Sequence, residues 1–229
     1  MAGVTTTTDR TADRDETQAA GVLLDVDGTL LDTNYLHTLA WWRAFQRHGR
    51  TFPMHRIHEL IGMGGDKLVP ELAGEEIEGA SDTWSEEFHR LLDDVTILPG
   101  ARELVEALHD AGFVVVLASS APGDDVGRFR EVLDVDRWLA GATSSDDADG
   151  SKPDADIFEV AMDRYGLDPA RTVAVGDSVW DARAAASAGI AFVGLETGGT
   201  EAARLLDEGA ATVHADAAAM TEVVRRALS

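Results

Sequence analysis

Short apolar runs recur along the chain, and most of them end at a polar side chain. A short continuous apolar run suits a strand that is buried on both faces of a parallel sheet. Such runs occupy residues 20–24, 113–118, 172–176 and 190–194. Each of them predicts one β-strand.

Segments with helical spacing of apolar residues lie between these runs. They cover residues 104–111, 157–165 and 182–188, and a glycine follows each of them, as is common just after the last turn of a helix. Strands that alternate with helices of this length indicate βαβ units. The sequence therefore predicts an α/β fold with a doubly wound parallel sheet.

Three of the predicted strands are followed directly by a polar residue. These residues are Asp25, Ser119 and Asp177. In a doubly wound sheet, ligands bind outside the carboxyl ends of the strands. We therefore expect the three side chains to meet at one functional site.

The alternation of strands and helices is interrupted between residues 34 and 97. Helical spacing without a strand-like run fills this segment, at residues 36–44, 55–61, 68–72 and 84–92. A helical insertion after the first strand is typical of a lid that closes over an active site and excludes water. The alternative is an extra helical domain that takes no part in the chemistry.

Composition narrows the class of protein. The formal net charge of −23 and the lack of a basic stripe argue against nucleic-acid binding. The chain has no cysteine, hence no disulfide framework and no thiolate metal site. No apolar run approaches the roughly 20 residues that cross a bilayer, and residues 1–20 show no secretory signal. A soluble, cytoplasmic enzyme without membrane or nucleic-acid partners is expected.

The acidity also constrains the site. A phosphorylated metabolite would be repelled unless the site carried positive charge, which a bound cation and one or two basic side chains could supply. The acidity itself is attributed to solubility or to adaptation to salt.

The most informative local motif is Asp25-Val26-Asp27-Gly28-Thr29. Two carboxylates two positions apart at a strand end can divide the work of phosphoryl transfer between them. One attacks phosphorus, and the other protonates the leaving oxygen and later activates water. Gly28 permits a tight turn and a close approach of the backbone.

Together with three further motifs, this segment resembles the haloacid dehalogenase superfamily of hydrolases. In that family a Ser or Thr ends the next core strand, a Lys follows later, and a Gly-Asp pair precedes a second Asp. The matching positions are Ser119 within 117–120, Lys152 within 150–154, and Gly176, Asp177 and Asp181. The resemblance covers nearly everything from Gly21 onward and implies the family's Rossmann-like α/β core.

The resemblance implies catalytic roles for the matched residues. Asp25 is the expected nucleophile, and Asp27 is the expected acid and base. The hydroxyl of Ser119 is expected to hold the transferring phosphoryl group, and Lys152 to steady both that group and Asp25. Neighbouring groups expected to bind the substrate are those of Gly28, Thr29 and Ser120.

The same resemblance implies Mg²⁺ as the cofactor. Its expected ligands are the carboxylates of Asp25 and Asp177 and the backbone carbonyl of Asp27, with Asp181 either binding the ion or supporting the residues that do. Mg²⁺ prefers hard oxygen ligands, and it would neutralise carboxylates that otherwise repel one another and an incoming phosphate.

The helical insertion resembles the C1 type of cap, as in phosphoglycolate phosphatases and β-phosphoglucomutases. A His at the place of His37 there couples cap closure to proton transfer, and His37 is also a candidate substrate contact; the alternative is a helix residue that is packed or solvated at the hinge. Trp41 and Trp42 are interpreted as cap packing. The Gly-rich segment 61–67 resembles the cap loop that sets substrate specificity, and Lys67 is its candidate substrate contact. This loop lacks the Arg with which the mutases hold a second phosphate.

We therefore expect a Mg²⁺-dependent phosphatase that hydrolyses a small phosphomonoester, of the phosphoglycolate or sugar-phosphate type, through an aspartyl-phosphate. The dehalogenases of the superfamily lack an acid at the place of Asp27, whereas an alkoxide leaving group needs a proton. The alternatives are a β-phosphoglucomutase-like isomerase and a catalytically idle binding module on the same fold.

The expected domain organisation follows from these assignments. Residues 1–19 form a disordered tail, residues 20–32 and 98–229 form the α/β core, and residues 33–97 form the helical cap. A monomer is expected, with a homodimer as the alternative.

Overall fold

The computed structural model describes residues 18–148 and 150–228. Its strands, in chain order, are β1 Ala19–Leu24, β2 Leu31–Asp32, β3 Thr96–Ile97, β4 Val114–Ala118, β5 Gly141–Thr143, β6 Leu167–Gly176, β7 Ala191–Leu195 and β8 Thr212–His214. Its α-helices are α1 Asn34–Arg47, α2 Met54–His58, α3 Gly65–Ala73, α4 Ala80–His89, α5 Ala101–Asp110, α6 Gly123–Leu133, α7 Asp156–Tyr165, α8 Val179–Ser187, α9 Ala202–Asp207 and α10 Ala217–Leu228. None of these helices combines the length and the apolar character that crossing a bilayer requires.

The main sheet is parallel, with the strand order β5-β4-β1-β6-β7-β8. β1 lies in its interior and pairs with β4 on one side and β6 on the other. After β5 the chain crosses to the other side of β1 and continues outward through β6, β7 and β8. The predicted α/β fold with a doubly wound parallel sheet is confirmed. The carboxyl end of β1 lies at the change of winding direction, between the ends of β4 and β6.

Each face of the sheet carries a hydrophobic core. Successive residues of β1 alternate between the two cores: Val22 and Leu24 pack with α5, α6 and α10, whereas Leu23 packs with α7, α8 and α9. Helices therefore cover both faces, and residues 21–24 of β1 are buried. This explains why the strand is apolar without interruption.

Helices α1 to α4 form the insertion between β2 and β3, which pair antiparallel at its base. The insertion has a core of its own around Trp41, Phe45 and Leu68. It also shares apolar contacts with the α/β core, since the ring of Phe88 in α4 packs edge-on against Phe129 in α6, with ring centroids 6.4 Å apart. The boundaries of 33–97 for a cap domain stay an interpretation.

The structure differs from the sequence-based expectation at several element ends. β6 begins at Leu167 because Ala19 pairs with Leu167 before a bulge separates this pair from the main ladder. α4 begins at Ala80, four residues before the start of the predicted segment 84–92, and ends at His89, three residues before the end of that segment. The apolar runs did not predict the short strands β5 and β8. Residues 1–17 of the predicted tail 1–19 lie outside the described residues, and Ala19 already belongs to β1.

Leu104 and Leu206 provide a test of this packing. Leu104 of α5 is fully buried beneath the sheet, whereas half of the surface of Leu206 in α9 is exposed. We expect Leu104→Ala to lower the free energy of unfolding by about 2–5 kcal/mol, because its packed neighbours cannot close the cavity it leaves. Leu206→Ala should lower it by less than about 1 kcal/mol. Urea unfolding followed by circular dichroism measures both, and equal losses would contradict this assignment of buried and exposed faces.

Candidate active site

Three neighbouring strands bring their polar residues to one edge of the sheet. Asp25 follows β1, Ser119 follows β4 and Asp177 follows β6. All three side chains are buried. The structure thus assembles the residues that the sequence analysis placed at strand ends.

The turn after β1 requires the glycine that follows the two aspartates. Gly28 has φ of 75°, in the left-handed region, and a Cβ at this position would collide with the Asn34 amide and lie 2.6 Å from Asp177 Oδ2. The turn carries Thr29 back beneath the site. Its hydroxyl lies 3.2 Å from Asp25 Oδ2 and 2.9 Å from Asp177 Oδ1, so its single proton bonds to one carboxylate at a time. Substrate contacts of Gly28 and Thr29 stay predictions.

Asp25, Asp177 and Asp181 form a buried acidic cluster. One carboxylate oxygen from each lies within 4.8 Å of those of the other two. Burial raises the pKa of Asp25 well above its ordinary value, against the opposing attraction of Lys152. Burial and the negative charge of Asp181 raise the pKa of Asp177 to about 7. Such a set of oxygen donors, reluctant to ionise without a counter-charge, fits a hard divalent cation such as Mg²⁺.

Lys152 is the basic side chain of this cluster. Its ammonium Nζ lies 2.5 Å from Asp25 Oδ1 and 2.6 Å from Asp181 Oδ1, and only 1% of the residue is exposed. Burial alone would lower the pKa of Lys152, but the two carboxylates outweigh it and raise the pKa above its ordinary range. One ammonium cannot neutralise three carboxylates. A divalent cation would supply the missing positive charge.

Asp181 is held at the start of α8 by its own helix cap. One of its oxygens, Oδ2, accepts hydrogen bonds from the Ser178 hydroxyl at 2.6 Å and from the Ser178 backbone N–H at 3.1 Å. The other oxygen, Oδ1, faces Lys152. This arrangement orients the lysine towards Asp25.

Asn34 is a site residue that the sequence analysis missed. As the first residue of α1, it donates from Nδ2 to Asp177 Oδ2 at 2.8 Å and to the carbonyl of Gly198 at 3.3 Å. It thereby connects the cap, the acidic cluster and the loop after β7. Neither Asn34 nor Gly198 belongs to the four motifs. The only available signal was a polar residue two positions before the predicted helical segment 36–44.

Asp27 faces the cap and is held by residues close to it in sequence. Its Oδ1 accepts a hydrogen bond from the Thr33 hydroxyl at 2.7 Å and lies 2.9 Å from His37 Nε2, and its Oδ2 lies 3.5 Å from the Ser119 hydroxyl. Burial would raise the pKa of Asp27, but the interactions with His37 and Thr33 outweigh it and lower the pKa. Asp27 is therefore held as a carboxylate, the form that accepts a proton from water.

The two serines after β4 occupy different positions. The Ser119 hydroxyl is fully buried and accepts a hydrogen bond from the Ala121 backbone N–H at 3.0 Å. The Ser120 hydroxyl has no hydrogen-bond partner among the described residues, although Ser120 lines the cavity beside Asp25. A phosphoryl oxygen would give this hydroxyl the acceptor that the protein does not.

A cavity of about 290 Å³ lies between the α/β core and the cap. Asp25, Asp27 and Lys152 line its core side, and residues 61–66 line it from the cap. The cap loop approaches the core so closely that a Cβ at Gly64 would collide with the Ser151 hydroxyl. The segment expected to set specificity therefore forms part of the cavity wall.

Lys67 does not belong to the cavity lining. Its ammonium donates to the Ser151 carbonyl at 2.6 Å and to Asp154 Oδ2 at 2.5 Å, while the Ser151 hydroxyl donates to Asp66 at 2.6 Å. Asp66 and Lys67 on the cap, with Ser151 and Asp154 on the core, form what we call the clamp. It holds the cap against the loop that carries Lys152. A contact between Lys67 and substrate stays a prediction.

Comparison with known proteins places this site in a family. The model of the haloacid dehalogenase-like hydrolases matches residues 19–189. That span contains the acidic cluster, Lys152 and the whole helical insertion.

Individual relatives cover most of the chain. A phosphorylated carbohydrates phosphatase of Thermotoga maritima is 26% identical over 74% of this chain and 81% of its own. A phosphoglycolate phosphatase of Nitrosospira multiformis is 30% identical over 73% of this chain and 79% of its own. The crystal structure of a hydrolase from Pseudomonas syringae superposes with a TM-score of 0.85 at 29% identity, covering 91% of this chain and 98% of that one.

Mg²⁺ should stabilise the folded protein through the acidic cluster. At a concentration about 100-fold above its Kd, an ion that binds only the folded state adds about 2.7 kcal/mol to the free energy of unfolding. This corresponds to a rise in Tm of roughly 5–10 °C for a chain of this size. Calorimetry with Mg²⁺ and with EDTA measures the shift. Asp177→Asn should abolish most of it and Asp66→Asn should preserve it; a full shift in Asp177→Asn would place the ion elsewhere.

The clamp yields a separate expectation for Lys67. We expect Lys67→Met to lower kcat about tenfold, because a loosened loop misplaces Lys152 against Asp25. Its effect on the free energy of unfolding should stay below about 1 kcal/mol, since the ion pair is partly exposed. Lys67→Arg should restore much of kcat. A raised KM at unchanged kcat would instead support direct substrate contact.

Proposed function

Because this chain belongs to the haloacid dehalogenase-like hydrolase family, we propose that it hydrolyses a small phosphomonoester through an aspartyl-phosphate on Asp25, with Mg²⁺ as cofactor. By its family and its relatives, the chain is a phosphatase that acts on small phosphorylated compounds. The observation that supports the proposed mechanism is the pairing of Asp25 and Asp27 at one cavity, each with different partners.

The phosphoryl group of the substrate would lie at the core end of the cavity. There the Lys152 ammonium and the Ser120 hydroxyl, which belong to residues that line the cavity, can donate hydrogen bonds to its oxygens. Ser119 is buried and is not among the lining residues; its hydroxyl lies 3.5 Å from Asp27 Oδ2, and its contact with the phosphoryl group stays a prediction. Mg²⁺ bound by Asp25 and Asp177 would neutralise charge on the phosphoryl group and on the carboxylates as negative charge shifts between them. Fixed donors of this kind stabilise the transition state without reorganising, which is typically the largest part of catalysis in phosphoryl transfer.

In the first step, a carboxylate oxygen of Asp25 attacks phosphorus in line with the ester oxygen. The new bond joins Asp25 to phosphorus, and the bond from phosphorus to the ester oxygen breaks. Asp27 donates its proton to the departing oxygen. The negative charge of a bound phosphate favours the protonated form of Asp27 that this step needs.

In the second step, a water molecule attacks the aspartyl-phosphate. Asp27, now a carboxylate, accepts a proton from that water, and inorganic phosphate leaves as Asp25 is restored. Thr33 and His37 hold Asp27 in position through their hydrogen bonds to Oδ1. The two aspartates thus differ in role because their surroundings differ.

The formation and the hydrolysis of the aspartyl-phosphate can be measured separately with p-nitrophenyl phosphate, because its leaving group departs without a proton. Asp25→Asn should lower kcat by at least about 10³-fold, because the nucleophile is lost. Asp27→Asn should still form the aspartyl-phosphate but hydrolyse it about 10²–10⁴-fold more slowly. Rapid mixing should therefore show a burst of p-nitrophenolate equal to the enzyme concentration in Asp27→Asn and no burst in Asp25→Asn.

Two controls accompany this experiment. Asp93→Asn, which removes an exposed carboxylate in the turn after α4, should behave as the wild type. Activity should disappear in EDTA and return with Mg²⁺. Undiminished turnover in Asp25→Asn would refute the proposed nucleophile.

A further inference from the structure

We propose that the leaving group of the natural substrate carries no charge, so that the phosphoryl group is the only anionic part of the substrate. This inference rests on the proposed function and adds the chemical class of the substrate. It favours esters of neutral alcohols over substrates with a second anionic group, such as phosphoglycolate or a sugar bisphosphate.

The position of Asp27 locates the leaving group. A side chain that protonates the departing oxygen must lie within hydrogen-bond distance of it. Asp27 and its partner His37 line the cavity between the core and the cap. At about 290 Å³ the cavity is close to the lower end of the range for small-molecule sites, roughly 300–1,000 Å³. The leaving group therefore occupies its cap side.

The wall around that side is mostly apolar. Its apolar lining residues are Trp41, Ile61, Met63 and Trp84 from the cap and Ala121 and Pro122 from the core. The indoles of Trp41 and Trp84 stack on one another with ring centroids 5.3 Å apart. The uncharged polar groups of the wall include the hydroxyls of Ser81 and Ser145. Such a surface suits a compact neutral group with one or two hydrogen-bonding atoms.

The cavity provides no counter-charge for a second anion. Among the described residues that line it, Lys152 is the only lysine or arginine, and its ammonium is held by Asp25 and Asp181. His37 is engaged by Asp27. Burying an anion without a partner is strongly unfavourable.

The charge that the cap loop does present is negative. Asp66 lines the cavity at its exposed rim, and its carboxylate accepts a hydrogen bond from Ser151. Lys67, the next residue, is directed to Asp154 in the clamp. A carboxylate or second phosphate on the leaving group would therefore meet Asp66 without meeting Lys67. Repulsion between Asp66 and this second anionic group would disfavour binding of such a substrate.

A neighbouring cavity is lined by basic residues, but it does not adjoin the position of the leaving group. It is lined by Arg204, His55 and His58, and it opens on Asp177 and not on Asp27. A group bound there would be on the side of the acidic cluster, away from the acid that the leaving oxygen needs. The apolar cavity is the one that meets Asp27.

The test compares two esters that differ by one charge, 4-carbamoylphenyl phosphate and 4-carboxyphenyl phosphate. With the wild-type enzyme and Mg²⁺, we expect kcat/KM to be at least about tenfold higher for the neutral amide. Asp66→Asn keeps the acceptor for Ser151 and should reduce this preference about threefold or more. Asp82→Asn, an exposed cap carboxylate outside the cavity lining, should leave the preference unchanged.

Comparing variants removes the intrinsic difference in reactivity between the two esters, because that difference is the same for every enzyme form. Equal values of kcat/KM, or a preference for the carboxylate, would overturn the inference while the phosphatase activity stands. An unchanged preference in Asp66→Asn, or an equal reduction in Asp66→Asn and Asp82→Asn, would also overturn it. No hydrolysis of either ester or of p-nitrophenyl phosphate would refute the proposed function and this inference with it.

Discussion

The repulsion among three buried carboxylates is the constraint on which the site depends. Asp25, Asp177 and Asp181 each lie near the end of a strand or the start of a helix, where the backbone leaves them little freedom to separate. This repulsion destabilises the arrangement, but it also has a functional consequence. It holds Lys152 charged. In the mechanism that we propose, it would also attract a divalent cation and would be relieved as charge moves onto the transferring phosphoryl group.

Apolar packing in the cap reaches this charged centre through His37. The ring of His37 stacks on Phe88 with centroids 4.0 Å apart, and Phe88 packs in turn against Phe129 of the α/β core. His37 Nε2 is thereby held against Asp27. The aromatic contacts between cap and core thus fix the orientation of Asp27, the proposed acid and base. A substitution that leaves a cavity in this packing should lower the catalytic rate as well as the stability of the fold.

The sequence predicted the residues whose position depends on the sheet. Asp25, Ser119 and Asp177 follow continuous apolar runs, and parallel strands necessarily bring their carboxyl ends to one edge. It did not predict Asn34, whose contact with Asp177 depends on where the cap helix starts. It also did not reveal that Lys67 binds Asp154, because the direction of a long side chain at a domain junction is decided by tertiary contacts. Local sequence patterns therefore predict the ends of strands well, but they predict the contacts between cap and core poorly.

The close approach of the cap loop to the core separates two kinds of evolutionary change. Gly64 has no room for a side chain beside Ser151, so its place in the loop is fixed by the fit between cap and core. Ile61 and Met63 line the cavity and belong neither to the acidic cluster nor to the clamp. We therefore expect mutations at these two positions to redirect the enzyme to new substrates while the acidic cluster and Lys152 keep their arrangement.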